Sequence, residues 1–264
     1  MSLIRIGTAG WSIPKQYAGQ LPQQGTHLER YGRAFSCAEI NSSFYRSHRL
    51  TTWAKWADSV PEGFRFAVKA PKTITHESSL ACSSEQLTNF LAEARTLATK
   101  LGPILFQLPP KFIFNPATAH AFFTMFRDHH LGPTVLEPRN PTWFTEEANS
   151  LLNKFHVARA AADPARIPAA ATAGGWPHLL YCRLHGSPRM YYSSYPKAYL
   201  QSLASSIERH HAPEIWCVFD NTASGAALGN ALTLQSLLVR SSGSSIEQST
   251  SPASYRSPPA PAAP

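Results

Sequence analysis

The stretch "FRFAVKAPKTITHESSLACSSEQLTNFLAEARTLATKLGPILFQL", residues 64–108, decides the fold because it holds two strand patterns and the helix pattern between them. "FRFAVK" (Phe64–Lys69) and "ILFQL" (residues 104–108) are short apolar runs typical of buried strands. Residues 83–102 have apolar side chains at three-to-four spacing, with Ser83 or Ser84 as a candidate N-cap and Gly102 as a stop. A strand, a helix and a second strand in this order predict a βαβ unit with parallel strands.

The same alternation recurs along most of the chain. Further strand patterns are "LIRIG", "FSCAEIN", "TVLEP", "VARAAAD", "LLYCRLHG" and "IWCVFDN". Eight such strands, with helical patterns between most of them, predict an α/β fold, a (β/α)8 TIM barrel over residues 1–240. The sixth unit is irregular, because "PARIPAAATAGGWP" has no helical pattern. A doubly wound open sheet is the alternative, disfavoured because no GxGxxG or Walker-type loop opens a helix.

The composition of the chain predicts where in the cell the protein is found and which part of the chain is disordered. Residues 241–264 are rich in Ser, Pro and Ala, which predicts a disordered C-terminal tail. No apolar run approaches the ~20 residues of a membrane span, and the first residues have no signal-peptide pattern. The four cysteines form no CxxC pair. We therefore expect a cytoplasmic protein with reduced cysteines and no membrane partner.

The formal net charge of +8 favours anionic partners. Lys and Arg are scattered along the chain and form no basic block. An anionic small molecule is therefore the expected partner, and nucleic acid is a more weakly supported alternative.

Polar residues follow nearly every predicted strand. The functional groups of a TIM barrel lie at the C-terminal ends of its strands. A carboxylate such as Glu39 at the end of a buried strand costs several kcal/mol unless it is paired, hydrogen-bonded or bound to a cation. Because side chains alternate along a strand, residues two apart share a face, and we expect them to converge on one pocket. We assign catalysis to Glu39, Glu137, Asp163 and His185, and substrate binding to Trp11, Asn41, Tyr45, Lys69, Gln107, Arg139, Arg183, Asp220 and Asn221.

Several chemistries fit this set of residues. Two separated carboxylates can serve as acid and base in hydrolysis of a phosphoester or glycosidic bond, while Lys69, Arg139 and Arg183 hold an anionic group. A divalent metal is a second possibility, although no HxH or HExxH spacing is present. Lys69 could form a Schiff base, but pairing with Glu39 or Glu137 explains the same lysine. The charges could also satisfy one another structurally, as the pairs Glu39–Lys69, Glu137–Arg139 and Asp220–Arg183.

Seven stretches between Ile6 and Leu232 carry a resemblance to a known family: "IGTAGWS", "AEINSSFYR", "FAVKAPKTITH", "LGPILFQLPPKF", "LEPRNPTWF", "YCRLHG" and "FDNTASGAALGNAL". They resemble the YecE-like family, also called domain of unknown function 72. This resemblance implies a TIM barrel but brings no established reaction. The chain departs from the family at Ile13, where an aromatic residue is common, and in a short, Ala-rich segment between Asp163 and Trp176.

These observations predict a polar pocket at the C-terminal ends of the strands. The expected function is a hydrolase acting on a phosphorylated or sugar-like small molecule. The alternative is a non-catalytic binder of nucleic acid or an anionic metabolite. A deep pocket of mixed charge would favour catalysis, and a positive stripe on the outer surface would favour nucleic acid.

Overall fold

The computed structural model describes residues 2–247, with side chains described as far as residue 239. Ten strands form a single sheet. They are β1 (Leu3–Ala9), β2 (Cys37–Ile40), β3 (Arg65–Lys69), β4 (Leu101–Gln107), β5 (Thr134–Glu137), β6 (Ala158–Arg159), β7 (Ala161–Asp163), β8 (Gly174–Gly175), β9 (Leu179–Leu184) and β10 (Glu214–Phe219).

The sheet curls into a nearly closed barrel, in the order β7-β9-β10-β1-β2-β3-β4-β5-β6-β8. β6 and β7 are two parts of the predicted sixth strand, interrupted at Ala160. β6 pairs with β5 and β7 pairs with β9, so this divided strand joins the two ends of the sheet. The backbone N–H of Ala160 donates to the carbonyl of Leu136 at 2.9 Å, and that of His185 donates to the carbonyl of Asp163 at 2.6 Å. The predicted TIM barrel is therefore confirmed, and the open sheet is excluded.

Seven α-helices follow the strands in the described chain: α1 (His27–Ala34), α2 (Leu50–Asp58), α3 (Ser84–Arg95), α4 (Pro116–His129), α5 (Glu146–Lys154), α6 (Lys197–Glu208) and α7 (Ala226–Glu247). Between β7 and β9 the chain forms a 3-10 turn at Pro168–Ala171 and the short antiparallel strand β8, and no α-helix. This confirms the irregular sixth unit. Among residues 2–247, no helix has the length and hydropathy needed to cross a bilayer.

Helix α3 begins where the sequence predicts and ends earlier. Ser83 is the N-cap: its Oγ accepts from the backbone N–H of Gln86 at 3.2 Å, and the Gln86 side chain accepts from the N–H of Ser83 at 3.1 Å. Gly102 is not the stop, because the helix ends at Arg95 and Ala98 takes a left-handed φ of 49°. Gly102 lies in β4, where a Cβ atom would come within 2.7 Å of the Trp216 ring. The glycine therefore permits close packing inside the barrel.

The last helix extends past the predicted end of the barrel at residue 240. Residues 241–247 belong to α7 and not to a disordered tail. The rest of the predicted tail, residues 248–264, lies outside the described residues.

Two apolar layers position the polar end of the barrel. One lies between strands and helices, where the ring of Phe106 contacts those of Phe122 and Phe126, each with centroids 5.1 Å apart. The other fills the barrel interior, so the barrel has a packed core and not a pore. This interior filling consists of Cys37, Ala67, Leu105, Val135, Ala158, Ala160, Leu179, Tyr181, Trp216 and Val218.

Candidate functional site

A layer of polar side chains lies at the C-terminal end of the barrel, above the interior filling. Each member follows a residue of that filling by two positions, or by four in the case of His185, so strand alternation points it inward. The pairing of neighbouring strands fixes the heights of these residues. Val218 of the interior filling lies opposite Arg183, and Gln107 lies opposite Glu137. We call Glu39, Lys69, Gln107, Glu137, Arg183, His185 and Asp220 the polar layer; all are buried.

Arg183 occupies the centre of the polar layer and binds three carboxylates. Its Nε and Nη2 donate to the two oxygens of Glu39 at 3.0 and 2.6 Å. Nη1 donates to Glu137 at 2.5 Å, and Nη2 also lies 3.2 Å from Asp220. Tyr181, one layer below, donates its hydroxyl to Glu39 at 2.8 Å. Because the guanidinium group is planar and rich in donors, it neutralises several buried carboxylates at once.

His185 lies between two of these carboxylates. Its Nδ1 lies 3.0 Å from Oδ2 of Asp220, and its Nε2 lies 3.3 Å from Oε1 of Glu137. Burial opposes the charged form of His185, but Glu137 and Asp220 outweigh it and raise the histidine pKa. Burial likewise opposes ionisation of Glu137, but Arg183 and His185 hold its pKa well below the usual range. The neighbouring carboxylates therefore favour the charged form of His185, and the neighbouring cations favour the ionised form of Glu137.

Lys69 is the exception in the polar layer. Among the described residues, its ammonium group makes no hydrogen bond or salt bridge, although Lys69 is only 8% exposed. Its Nζ lies 4.2 Å from the centre of the Phe44 ring. Burial and, next, the charge of Arg183 lower the pKa of Lys69 to about 8. The predicted pairing of Lys69 with Glu39 or Glu137 is wrong, because Arg183 has taken both carboxylates.

An open cleft of about 380 Å³ lies beside the polar layer. Within the described chain, Oδ1 of Asn41 is buried there without a hydrogen-bond partner, while Nδ2 donates to Asp220 at 3.4 Å. A larger cavity, about 550 Å³, lies between β1 and α7, but no ionisable side chain lines it. The polar cleft is therefore the better candidate for chemistry. Its lining includes Trp11, His27, Glu39, Asn41, Ser42 and Thr222.

Two predicted site residues lie outside this arrangement. Asp163 is opposite Leu184 in register and faces the helices, where it accepts a hydrogen bond from the Tyr195 hydroxyl at 2.8 Å. Asn221 is fully buried and donates to the backbone carbonyl of Ser193 at 2.9 Å. Side-chain alternation explains both cases, because each residue directly follows one whose side chain points inward.

The other predicted binding residues divide between cleft, polar layer and rim. Trp11 lines the cleft, with its ring edge-on to Trp56 at 5.3 Å. Gln107 is buried beside Glu137 and donates to the carbonyl of Leu108 at 3.1 Å. Arg139 pairs with Glu137 at 3.1 Å. Tyr45 is 71% exposed and lies on the rim, away from the cleft lining.

The carboxylates of the polar layer are poorly disposed to hold a metal ion. Within residues 2–247, no group of three or more His, Cys, Asp and Glu side chains is arranged as a metal site. Glu39 and Glu137 direct their oxygens at Arg183, so a guanidinium group occupies the space between them. The arrangement of these donors therefore gives no support to the divalent metal that the sequence left open as a possibility.

Sequence reasoning missed three kinds of residue at this site. Tyr181 could have been found, because it precedes Arg183 by two residues and shares its face. Phe44 had no signal, since its role depends on where the turn after β2 places its ring. Ser42 and His48 lie in the same loop, and their side chains meet only through its folding.

The barrel has an apolar filling in its interior and a charged layer above it, at the C-terminal ends of the strands. The protein is therefore of the TIM-barrel class, with its candidate site at that end. The chain belongs to the family described as "Protein of unknown function DUF72", whose model matches residues 5–254. This confirms the resemblance noted from the sequence motifs.

Curated relatives and solved structures agree with this assignment. The chain is 31% identical over 158 residues to UPF0759 protein YecE of Escherichia coli K12, covering 58% of this chain and 56% of YecE. It is 28% identical over 156 residues to UPF0759 protein YunF of Bacillus subtilis 168, covering 54% of this chain and 53% of YunF. The chain thus matches about half the length of these curated relatives.

Solved structures of DUF72 family proteins have the same fold. One from Enterococcus faecalis V583 superposes with a TM-score of 0.75 at 22% identity, covering 90% of this chain and 96% of its own. Another from Thermotoga maritima MSB8 gives a TM-score of 0.73 at 22% identity, covering 90% and 99%. At this level of identity the likeness establishes the fold alone.

Proposed function

We propose that the protein is a hydrolase that binds an anionic, phosphorylated or sugar-like small molecule at the C-terminal end of the barrel, between the polar layer and the cleft beside it. The observation that carries this proposal is the unpaired ammonium group of Lys69. A buried cation without a carboxylate partner costs free energy. An anionic ligand would remove that cost by supplying the missing partner.

The charge balance of the layer supports an anionic ligand. With His185 protonated, the state towards which its raised pKa points, Arg183, Arg139 and His185 match the three carboxylates of Glu39, Glu137 and Asp220. Lys69 is then left as excess positive charge. A phosphate or carboxylate group near Lys69 would complete the pairing.

The hydrogen bonds and charges around the carboxylates favour a phosphoester over a glycosidic bond as the bond that is hydrolysed. Cleavage between sugars by two carboxylates requires one of them to be protonated, so that it can act as the acid. The pKa of Glu137 is held well below its usual range, and Glu39 accepts hydrogen bonds from Arg183 and Tyr181. Glu137 is therefore unsuited to donating a proton, and both oxygens of Glu39 are already engaged by Arg183.

The test is a hydrolysis screen of nitrophenyl phosphates, sugar phosphates and nitrophenyl glycosides with wild type and Lys69→Met. Lys72→Met is the matched control, because Lys72 is exposed and pairs with Glu77. We expect phosphoester hydrolysis that falls at least tenfold in Lys69→Met and is retained in Lys72→Met. Hydrolysis that is equal in all three proteins, or detected in none, would contradict the proposal.

The alternative function is binding without turnover, and one feature of the rim favours it. Tyr45 is 71% exposed, and the neighbouring Arg46 and Arg49 are also exposed. An aromatic ring beside two arginines can stack on a base and contact a phosphate. Tight, salt-dependent binding of single-stranded oligonucleotides by a protein that hydrolyses nothing in the screen would establish this alternative.

A further inference from the structure

The loop after β2 places a serine of the cleft lining against a histidine. Oγ of Ser42 lies 2.8 Å from Nε2 of His48. Ser42 also lines the cleft with Asn41 and Thr222. A hydroxyl within hydrogen-bond reach of an imidazole is the arrangement that activates serine as a nucleophile.

The turn that carries Ser42 is fixed to the polar layer. Oγ of the next residue, Ser43, lies 2.7 Å from the carbonyl of Lys69 and 3.0 Å from that of Ile40. Phe44, at the end of the same turn, packs its ring against Nζ of Lys69. The nucleophile and the unpaired cation are therefore held on one short segment and the strand beside it.

His48 is held in place by aromatic rings and by Glu93. Its ring is edge-on to Trp53 and Trp56, with centroids 5.8 and 5.0 Å away, and its backbone N–H donates to Glu93 at 3.1 Å. Burial, and then the charge of Arg46, lower the pKa of His48, with Glu93 opposing them. The neutral imidazole, which has a lone pair to accept a proton, is therefore favoured at neutral pH.

We propose that Ser42 is the nucleophile of the hydrolase and that His48 is its general base, which rests on the function proposed above. Oγ of Ser42 attacks the phosphorus of a phosphoester, and its proton passes to Nε2 of His48. The new P–O bond forms as the bond to the leaving alcohol breaks, and His48 gives the proton to that alcohol. Water then attacks the phosphoserine with His48 again as base, releasing phosphate and restoring the Ser42 hydroxyl.

A fluorophosphonate probe tests this dyad without knowledge of the substrate. An activated serine displaces fluoride from the probe and keeps the phosphonyl group, and peptide mass spectrometry locates the adduct. We expect labelling at Ser42 in the wild type, at least a tenfold slower rate in His48→Gln, and none at this position in Ser42→Ala. Ser47→Ala is the matched control, because its hydroxyl lies in the same loop but contacts Glu93 and not an imidazole.

The outcomes separate the dyad from the proposed function. An unlabelled Ser42 in the folded wild type, or equal labelling rates in wild type and His48→Gln, would overturn the dyad. Phosphoester hydrolysis with an unlabelled Ser42 would leave the hydrolase standing and remove its serine nucleophile. Labelling of Ser42 that depends on His48, in a protein that hydrolyses nothing, would keep the dyad and contradict the phosphoester substrate.

Discussion

The two ends of the barrel each contain a buried arginine, but they differ in how completely their buried charges are paired. At the N-terminal end, Arg5 donates to Glu214 at 3.0 Å and to the backbone carbonyl of Gly63 at 2.9 Å. Trp216 donates to the same glutamate at 2.9 Å. Arg5 is thus paired with a carboxylate and a backbone carbonyl, although Nε2 of His130, just before β5, is buried without a hydrogen-bond partner among the described residues.

The C-terminal end has more charge and is less completely paired. Arg183 takes three carboxylates, and the ammonium group of Lys69 is left without a carboxylate in the described structure. Oδ1 of Asn41 is also buried there with no hydrogen-bond partner among the described residues. An unpaired buried ammonium group and an unsatisfied amide oxygen both cost stability, and their presence at this end supports the proposed ligand site.

The largest expected effect comes from removing the central arginine. Arg183→Met leaves Glu39, Glu137 and Asp220 buried without their main cation, and should lower the free energy of unfolding by roughly 3–5 kcal/mol. Urea denaturation followed by circular dichroism measures this. Arg5→Met is the matched variant at the other end and should cost less, because Glu214 is partly exposed. A larger loss for Arg5→Met would reverse the comparison.

Glu137→Gln should lower the free energy of unfolding by an intermediate amount that depends on pH. Because the pKa of Glu137 is held below its ordinary value of 4.5, the ionised carboxylate stabilises the fold above that pH. This contribution is lost as pH falls through the lowered pKa. Glu137→Gln should therefore cost roughly 2 kcal/mol at neutral pH, where charge-assisted hydrogen bonds are lost. The Tm difference from wild type should narrow as the pH falls below 4.5; a constant difference would show that Glu137 is not ionised in the fold.

Lys69→Met should have the smallest effect on the free energy of unfolding, and it should stabilise the fold where the other two substitutions destabilise it. The substitution keeps most of the side-chain volume next to Phe44 and removes a buried, unpaired charge. The free energy of unfolding at neutral pH should rise by about 1 kcal/mol. Thermal unfolding of the variant beside Lys72→Met measures the change. A clear loss of stability in Lys69→Met would mean that the ammonium group has a stabilising partner.

Strand alternation explains how much of the site the sequence could predict. Glu39, Glu137, Arg183 and His185 were all identified because each follows an apolar strand at the inward position. The same rule, applied strictly, would have excluded Asp163. Arg159 lies four residues before Asp163 and therefore on the same face of the strand. Its guanidinium group lies 4.9 Å from the centre of the Phe144 ring, on the helix side, so this face points away from the barrel interior.

The choice of ion-pair partners could not be predicted from the sequence. The pairs Glu137–Arg139 and Asp220–Arg183 are present, but Glu39 binds Arg183 and not Lys69. Which cation a carboxylate meets depends on distances of a few ångströms across the barrel, set by strand tilt and register. The contact between Ser42 and His48 depends in the same way on the path of a loop.

The most direct test of the central claim is a calorimetric titration of sulfate into wild type and Lys69→Met. Sulfate is suitable because its own charge is constant from neutral to alkaline pH. We predict that the wild type binds it, with affinity that falls as pH rises through about 8 and Lys69 loses its proton. Lys69→Met should bind at least about tenfold more weakly, a change of ~1.4 kcal/mol, with no such pH dependence. Equal affinity in the two proteins would contradict the claim that Arg183 leaves Lys69 free for an anionic ligand.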